Sequence, residues 1–215
     1  LSKIKKIDWA IHWVSMLHAV GITVAASFIL NDPEMSADRI FAYNPYAGNV
    51  YAVACGYFLW DSIICLSYIR HFGPGFAVHG VACFIVFIFS FRPFLMYYGA
   101  GFLMFELSTP FLNIHWFCDK TGRTGSTLQL INGIVLLVVF FFARICLGFY
   151  NSADFYVNVY RRRAEIPTEL IVTYSIANLL LNGLNVMWFS KMLTSVVSRF
   201  RKPGRKGKGK VQKAE

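Results

Sequence analysis

Residues 105–113 read Phe105-Glu106-Leu107-Ser108-Thr109-Pro110-Phe111-Leu112-Asn113, which puts an acid, two hydroxyls, a proline and an amide inside the long apolar stretch 93–118. Positions 106, 109, 110 and 113 recur at i, i+3, i+4 and i+7, so on a helix they share one face. Pro110 has no N–H and leaves a carbonyl of that helix without its usual partner. A charged side chain in hydrocarbon costs about 2.5 to 3.5 kcal/mol on insertion scales, so this face is expected to look into a protein interior and not at lipid. The stretch predicts a membrane-spanning helix in a bundle with a polar centre.

The rest of the chain agrees with that expectation. Of its 215 residues 56% are hydrophobic and 15% charged, against about 25% charged in a soluble domain. Six stretches, 9–30, 49–69, 72–91, 93–118, 126–150 and 168–190, meet the requirement of about 20 mostly apolar residues for a helix that crosses a bilayer. They predict an all-α polytopic membrane protein, six transmembrane helices in one domain over 1–198, followed by a basic tail over 199–215. The run His71-Phe-Gly-Pro-Gly75 breaks the start of the third helix. Pro93 is expected in the first turn of the fourth, and Thr168 with Glu169 at the capped start of the sixth.

Six spans put both termini on one side. Most of the 21 Lys and Arg residues fall on that side, in the runs Lys3 to Lys6 and Arg199 to Lys213 and around Arg70, Lys120 and Arg123. The positive-inside rule then makes both termini cytosolic, with Arg161-Arg-Arg163 as the opposing cluster. The stretch from Leu1 to Lys6 leads directly into a full-length span, so no signal peptide is expected there, and a start at Leu1 leaves room for residues before it. The tail reads either as a solvated, disordered segment or as a binder of anionic lipid head groups. The net charge of +10 resides mainly in this tail and not in a basic groove, which argues against nucleic acid as a partner. Five cysteines without a CxxC motif read as small hydrophobes, and no metal site is expected.

Three further ionisable residues lie in apolar stretches: Asp61, His79 and Arg144. Asp61 and His79 fall in the same half of two antiparallel neighbouring helices. Either they pair, the aspartate fixing the imidazole tautomer, or each serves a separate buried group. Arg144 reads either as a residue whose stem snorkels to the interface or as the partner of Glu106 in a low-dielectric core. Asn178, Asn182 and Asn185, at i, i+4 and i+7, form an amide stripe that either bonds helix to helix or walls a cavity. His12 and His18 read as helix-packing residues and not as metal ligands.

Several ordered motifs carry a resemblance. Val78-His79-Gly80, the 105–113 run, Asn132-Gly133, the Phe-rich stretch up to Arg144, Asn185-Val-Met-Trp-Phe-Ser-Lys-Met192 and Gly56-Tyr-Phe-Leu-Trp-Asp61 together resemble the TLC domain family over nearly the whole chain except the tail. Within it the chain is most similar to the small TLC-domain-containing membrane proteins and less so to the ceramide synthases. The resemblance implies a six-helix barrel around a central cavity and a membrane lipid or fatty acyl chain as partner. It also implies a place in the endoplasmic reticulum or another endomembrane, and a role in lipid homeostasis, composition or trafficking. Ceramide synthases transfer an acyl group from acyl-CoA with two adjacent histidines and downstream acids. Here His79 matches the second histidine, Val78 stands at the first, Glu106 falls where the first acid would be, and Thr109 and Asn113 replace the next. An acyltransferase using acyl-CoA, with His79 as base or nucleophile oriented by Asp61 or Glu106, is therefore the alternative to a lipid-binding role. In both readings Thr109, Asn113, Arg144, Asn178, Asn182 and Asn185 line the cavity. A transporter is less favoured, since no inverted repeat is apparent.

Overall fold

The computed structural model describes residues 2–200, so the greater part of the basic tail expected over 199–215 lies outside the described residues. Six helical rods form the fold. The first is α1 (Lys3–Leu30), and a short helix, α2 (Pro33–Ala37), follows it. The second rod is α3 (Pro45–Ser67), continued by one turn, α4 (Ile69–Phe72), and the third is α5 (Pro74–Phe89). The fourth runs through α6 (Met96–Leu103), a 3-10 turn (Met104–Ser108) and α7 (Thr109–Lys120). The fifth runs through α8 (Thr127–Phe140), a π turn (Phe141–Cys146) and α9 (Leu147–Arg161), and the sixth is α10 (Thr168–Phe200).

Local chemistry starts and stops these rods where the sequence indicates. Asn44 caps α3 through bonds from the Tyr46 and Ala47 amides, with Pro45 in the first turn, where its missing N–H costs nothing. Ser126 caps α8 in the same way. Gly73, at φ +88°, makes the sharp turn before Pro74 that separates α4 from α5.

The rods close into a ring. α1 packs on α3, α3 on α5, α5 on α10, α10 on the α8–α9 rod, that rod on the α6–α7 rod, and the last returns to α1. Large apolar side chains such as Leu17, Phe28, Ile63 and Leu179 stand exposed on the outside, as expected of helices that are apolar on every face because lipid surrounds them. The chain is thus an all-helical membrane protein. Among the described residues, four segments are long and apolar enough to cross a membrane: Lys3–Leu30, Pro45–Ser67, Thr127–Arg161 and Thr168–Ser198. Pro74–Phe89 is apolar but shorter, and the fourth rod is divided by its 3-10 turn.

At one corner the structure differs from expectation. The fourth rod does not open at Pro93 but at Met96, after Leu95 in the left-handed conformation at φ 57°. Leu95 donates its amide to the Ile40 carbonyl at 2.7 Å and is buried with Phe94 in an apolar cluster that includes Ile40, Phe155 and Tyr174. Burial of the two side chains offsets the cost of a positive φ on a non-glycine residue.

The same end of the ring explains one member of the opposing arginine cluster. Arg162 makes ion pairs of 2.7 Å with both Asp38 and Glu165, tying the loop after α9 to the loop before α3. Burial pushes the Asp38 carboxyl up, but the Arg162 guanidinium and the amides of Phe41 and Ile40 outweigh it and hold the group below the usual carboxylate range. Such a group stabilises the fold above the carboxyl's unfolded-state value, and the contribution is lost as pH falls through the lowered one.

On the opposite face of this corner Tyr51 is fully buried and its hydroxyl donates to the Met96 carbonyl, joining α3 to α6. A Cβ at Gly99 would fall on the Tyr51 ring and hydroxyl, so only glycine admits this approach. Two expectations follow. Gly99→Val lowers stability by about 1–3 kcal/mol, seen as a lower unfolding midpoint in detergent; an unchanged midpoint would show that Tyr51 has room to move. On acidification from pH 5 to pH 3, wild type loses more thermal stability than Asp38→Asn, and parallel losses would remove the ion pair from the account.

Candidate functional site

The 3-10 turn and the π turn lie against each other where the fourth and fifth rods pack, and together they build a polar hub. Tightening the backbone over Met104–Ser108, ahead of Pro110, turns the Phe105 carbonyl outward, and widening it over Phe141–Cys146 turns Arg144 inward. The Arg144 guanidinium fills the gap. Its Nε donates to the Phe105 carbonyl and the Ser108 hydroxyl, both at 3.0 Å. Nη1 donates to Asn185 Oδ1 at 3.3 Å, and Nη2 to Thr109 Oγ1 at 3.2 Å and Glu106 Oε1 at 3.5 Å. The guanidinium also lies 5.2 Å from the Phe140 ring.

Arg144 and Glu106 are each only 6% exposed. The snorkelling reading of Arg144 is thereby replaced by the pairing one, because four side chains and a freed carbonyl on facing rods satisfy the guanidinium where it stands. Removal of one partner from such a pair leaves an uncompensated charge at a cost of about 3–5 kcal/mol.

A small cavity of about 60 Å³ lies beside this hub. His79, Glu106, Asn178, Asn182 and Asn185 are among its lining residues, and the rest of the wall is mainly apolar, with Phe58, Phe87, Phe102, Leu103, Phe155 and Tyr174 among its members. Arg144 and Thr109 stand behind Glu106, in the hub and not in the wall.

His79 is set among aromatics. Its ring lies 5.4 Å from Trp188 and 6.1 Å from Phe58, both edge-on. Cys83, one turn along α5, places its Sγ 3.9 Å from both ring nitrogens. Asp61 makes no hydrogen bond to His79. It bonds the Cys65 thiol at 3.6 Å and lies against Gly80, where an added Cβ would come within 2.8 Å of Asp61 Oδ2. The helices α3 and α5 approach closely at that glycine, so the carboxylate packs against backbone beside the histidine and does not enter the cavity. Nor does Asn113 line it; its amide exchanges hydrogen bonds with Ser15 at 2.8 and 3.2 Å, latching α7 to α1.

The amide stripe divides its work. Ser152 Oγ accepts from Nδ2 of both Asn178 and Asn182 at 2.9 Å, binding α10 to α9. Asn185 accepts from Arg144. Yet Asn182 Oδ1 and Asn185 Nδ2, both buried, have no hydrogen-bond partner within the described residues. The stripe therefore packs α10 on α9 while its three residues also lie in the lining of the cavity.

Sequence reading passed over Ser152 and Cys83. A signal for Cys83 exists in its i+4 spacing from His79; none marks Ser152, which is defined by a helix 26 residues away. His12 and His18 behave as packing residues, stacked at 3.8 Å on Trp116 and Tyr57 respectively. The described residues hold no group of three or more His, Cys, Asp or Glu side chains suited to a metal ion.

Comparison with known proteins gives a consistent picture. The sequence model of the TLC domain matches residues 8–194. A TLC domain-containing protein of Schizosaccharomyces pombe is 40% identical over 93% of this chain and 69% of its own length. Topoisomerase I damage affected protein 4 of Saccharomyces cerevisiae is 34% identical over 92% of this chain and 72% of its own. TLC domain-containing protein 4 of Homo sapiens is 30% identical over 94% and 80%. No solved structure matches.

Arg144→Met alone is expected to destabilise the protein by about 3 kcal/mol or more, and Arg144→Met combined with Glu106→Gln by much less. Thermal unfolding of the three proteins in the same detergent checks this, and additive losses would show that the two groups do not act as a pair.

Proposed function

Because the chain belongs to the TLC domain family, we propose that it binds a membrane lipid or fatty acyl chain in the central cavity and acts in lipid homeostasis, composition or trafficking. The observation that carries this reading is the cavity itself, an apolar slot within a ring of helices that ends on the Glu106–Asn185 side in polar groups. Its lining pairs an apolar wall, with Phe102, Leu103, Phe155 and Tyr174, with the polar groups of Glu106, His79 and the amides, the two chemistries of an amphipathic molecule.

A second reading is acyl transfer from acyl-CoA. It rests on His79, whose imidazole fronts the cavity and has a thiol beside it, so that a base or nucleophile would meet an acyl carbonyl held there. The arrangement offers one histidine, with neither Asp61 nor Glu106 bonded to it.

In the proposed membrane setting all six rods cross the bilayer and both termini face the cytosol, with the endoplasmic reticulum or another endomembrane as the site. At 1.5 Å per residue the third rod spans about 24 Å, a shortfall that local thinning of the bilayer accommodates. The basic stretch that begins the chain supports this orientation. The tail supplies more charge on the same side, where it would meet anionic head groups.

His79→Ala is expected to fold normally, because a half-buried ring without an ion pair is removed, and to change the lipid profile of cells that depend on the protein. An unchanged profile would count against a role for His79. Lipid analysis of the purified wild-type protein separates the two readings: a co-purified intact lipid supports binding, and an acyl adduct on His79 in the intact mass supports transfer. A reporter fused at either end that reads as lumenal would overturn the orientation.

A further inference from the structure

The loop from Asp38 to Asn44 joins α2 to α3, and its one buried side chain, Ile40, belongs to an apolar cluster with Leu95, Tyr98, Phe155 and Tyr174. Those four residues also line the cavity. One layer of side chains, carried by the starts of the fourth and sixth rods and the end of the fifth, is therefore common to the loop's apolar contact and to the cavity wall.

The loop is built as a unit. Asp38 Oδ1 accepts from the Ile40 and Phe41 amides, both at 3.1 Å, and the Ala42 amide donates to the Asp38 carbonyl at 3.0 Å. Its base is fixed on both sides. Met35 of α2 is buried in the other apolar cluster, and Asn44, the cap of α3, donates to Asp32 Oδ2 at 2.6 Å. Between these fixed points the bonds that shape residues 38–43 are internal, so the piece keeps its form when it moves.

The contacts that hold it down are of another kind. Arg39 pairs with Asp154 and Asp38 with Arg162, both at 2.7 Å, and these four side chains are between 26% and 41% exposed. Ion pairs so close to water contribute little to stability. The backbone of residues 38–43 makes one hydrogen bond to another part of the chain, from the Leu95 amide to the Ile40 carbonyl at 2.7 Å. Segments with few buried apolar contacts and solvent-exposed polar ones open locally at a lower free energy than packed helices do. This piece is such a segment, and α3, α6 and α9 around it are not.

Resting on the reading of the cavity as a lipid site, we propose that residues 38–43 form a latched lid. Closed, Ile40 backs the cavity wall. Release of the Arg39–Asp154 and Asp38–Arg162 pairs withdraws Ile40, lets Leu95, Tyr98, Phe155 and Tyr174 part, and opens a way into the cavity from this end of the ring. Asp154 couples the latch to the wall, because it also accepts from the Tyr98 hydroxyl at 2.7 Å.

Cys83 is buried and lines the cavity, so its thiol reports entry without any lipid. The full chain in nanodiscs is treated with methyl methanethiosulfonate, and the rate of modification at each cysteine is read by peptide mass spectrometry. Asp38→Asn combined with Arg39→Gln is expected to speed modification of Cys83 about tenfold, the change in open population when two partly exposed ion pairs are lost. Cys55, Cys65 and Cys118, buried but outside the cavity lining, are expected to keep their wild-type rates. An unchanged Cys83 rate would overturn the lid. A similar rise at all four buried cysteines would overturn it as well, since it reports a general loosening. Should the double variant not fold, hydrogen exchange on the wild type decides: the Leu95 amide, held by the Ile40 carbonyl, is expected to exchange faster than the amides within α3 and α9, and protection equal to theirs would overturn the lid. No lipid serves as a probe, so failure of the lid leaves the lipid-binding reading standing, and failure of that reading leaves the opening of the lid measurable.

Discussion

Arg144 is a permanent positive charge held away from water, inside a ring of helices that lipid surrounds. Water cannot solvate it there, so the protein must do so with fixed groups, and every one of those groups constrains the backbone that carries it. The Phe105 carbonyl becomes available because the fourth rod tightens into a 3-10 turn ahead of Pro110. The guanidinium reaches it because the fifth rod widens into a π turn. Asn185 anchors the same charge to the sixth rod. Three of the six rods are thereby fixed in depth and rotation by one side chain, and both helical irregularities in the described residues meet at it.

The cavity lies beside this arrangement and shares Phe105, Glu106 and Asn185 with it. Its slot is walled by the second, third, fourth and sixth rods, with Phe155 of the fifth. Glu106, held at the edge of the hub by Arg144, fronts that slot on one side. On the other, Ser152 gathers Asn178 and Asn182 and keeps α10 against α9. The polar groups that could act on a ligand are thus the outer members of a network whose inner members are structural. Asn185 belongs to both parts: its Oδ1 accepts from Arg144 and the residue lines the cavity.

Small residues and close contacts set the remainder. Gly80 lets α3 and α5 approach until Asp61 packs against backbone, and the aspartate is taken out of the cavity that its sequence context suggested for it. Gly99 does the same for α3 and α6 around Tyr51. Near Leu95 a positive φ is kept because two large apolar side chains are buried in return. At that end the Arg162 ion pairs tie the loop after α9 to the loop before α3, which gives one arginine of the 161–163 cluster a structural reason to be there.

Much was legible in the chain before any fold was known. Long apolar stretches specify helices in lipid, because hydrocarbon offers the backbone no other partner. Charges within those stretches specify an interior, because hydrocarbon excludes them. The shared face of 106, 109, 110 and 113 and the stripe at 178, 182 and 185 followed from helical periodicity alone, as did the choice of His79 and Glu106 for the interior. Periodicity fixes a direction around one axis and nothing more. It left Asn113 to meet Ser15 on the neighbouring first rod, Asp61 to meet Cys65 and Gly80 beside His79, and Arg144 to turn toward Glu106 and not toward the interface. Those outcomes depend on where a second helix stands and at what height. The relative position of helices is set by local changes of pitch and by glycine contacts, and only the packed structure could decide it.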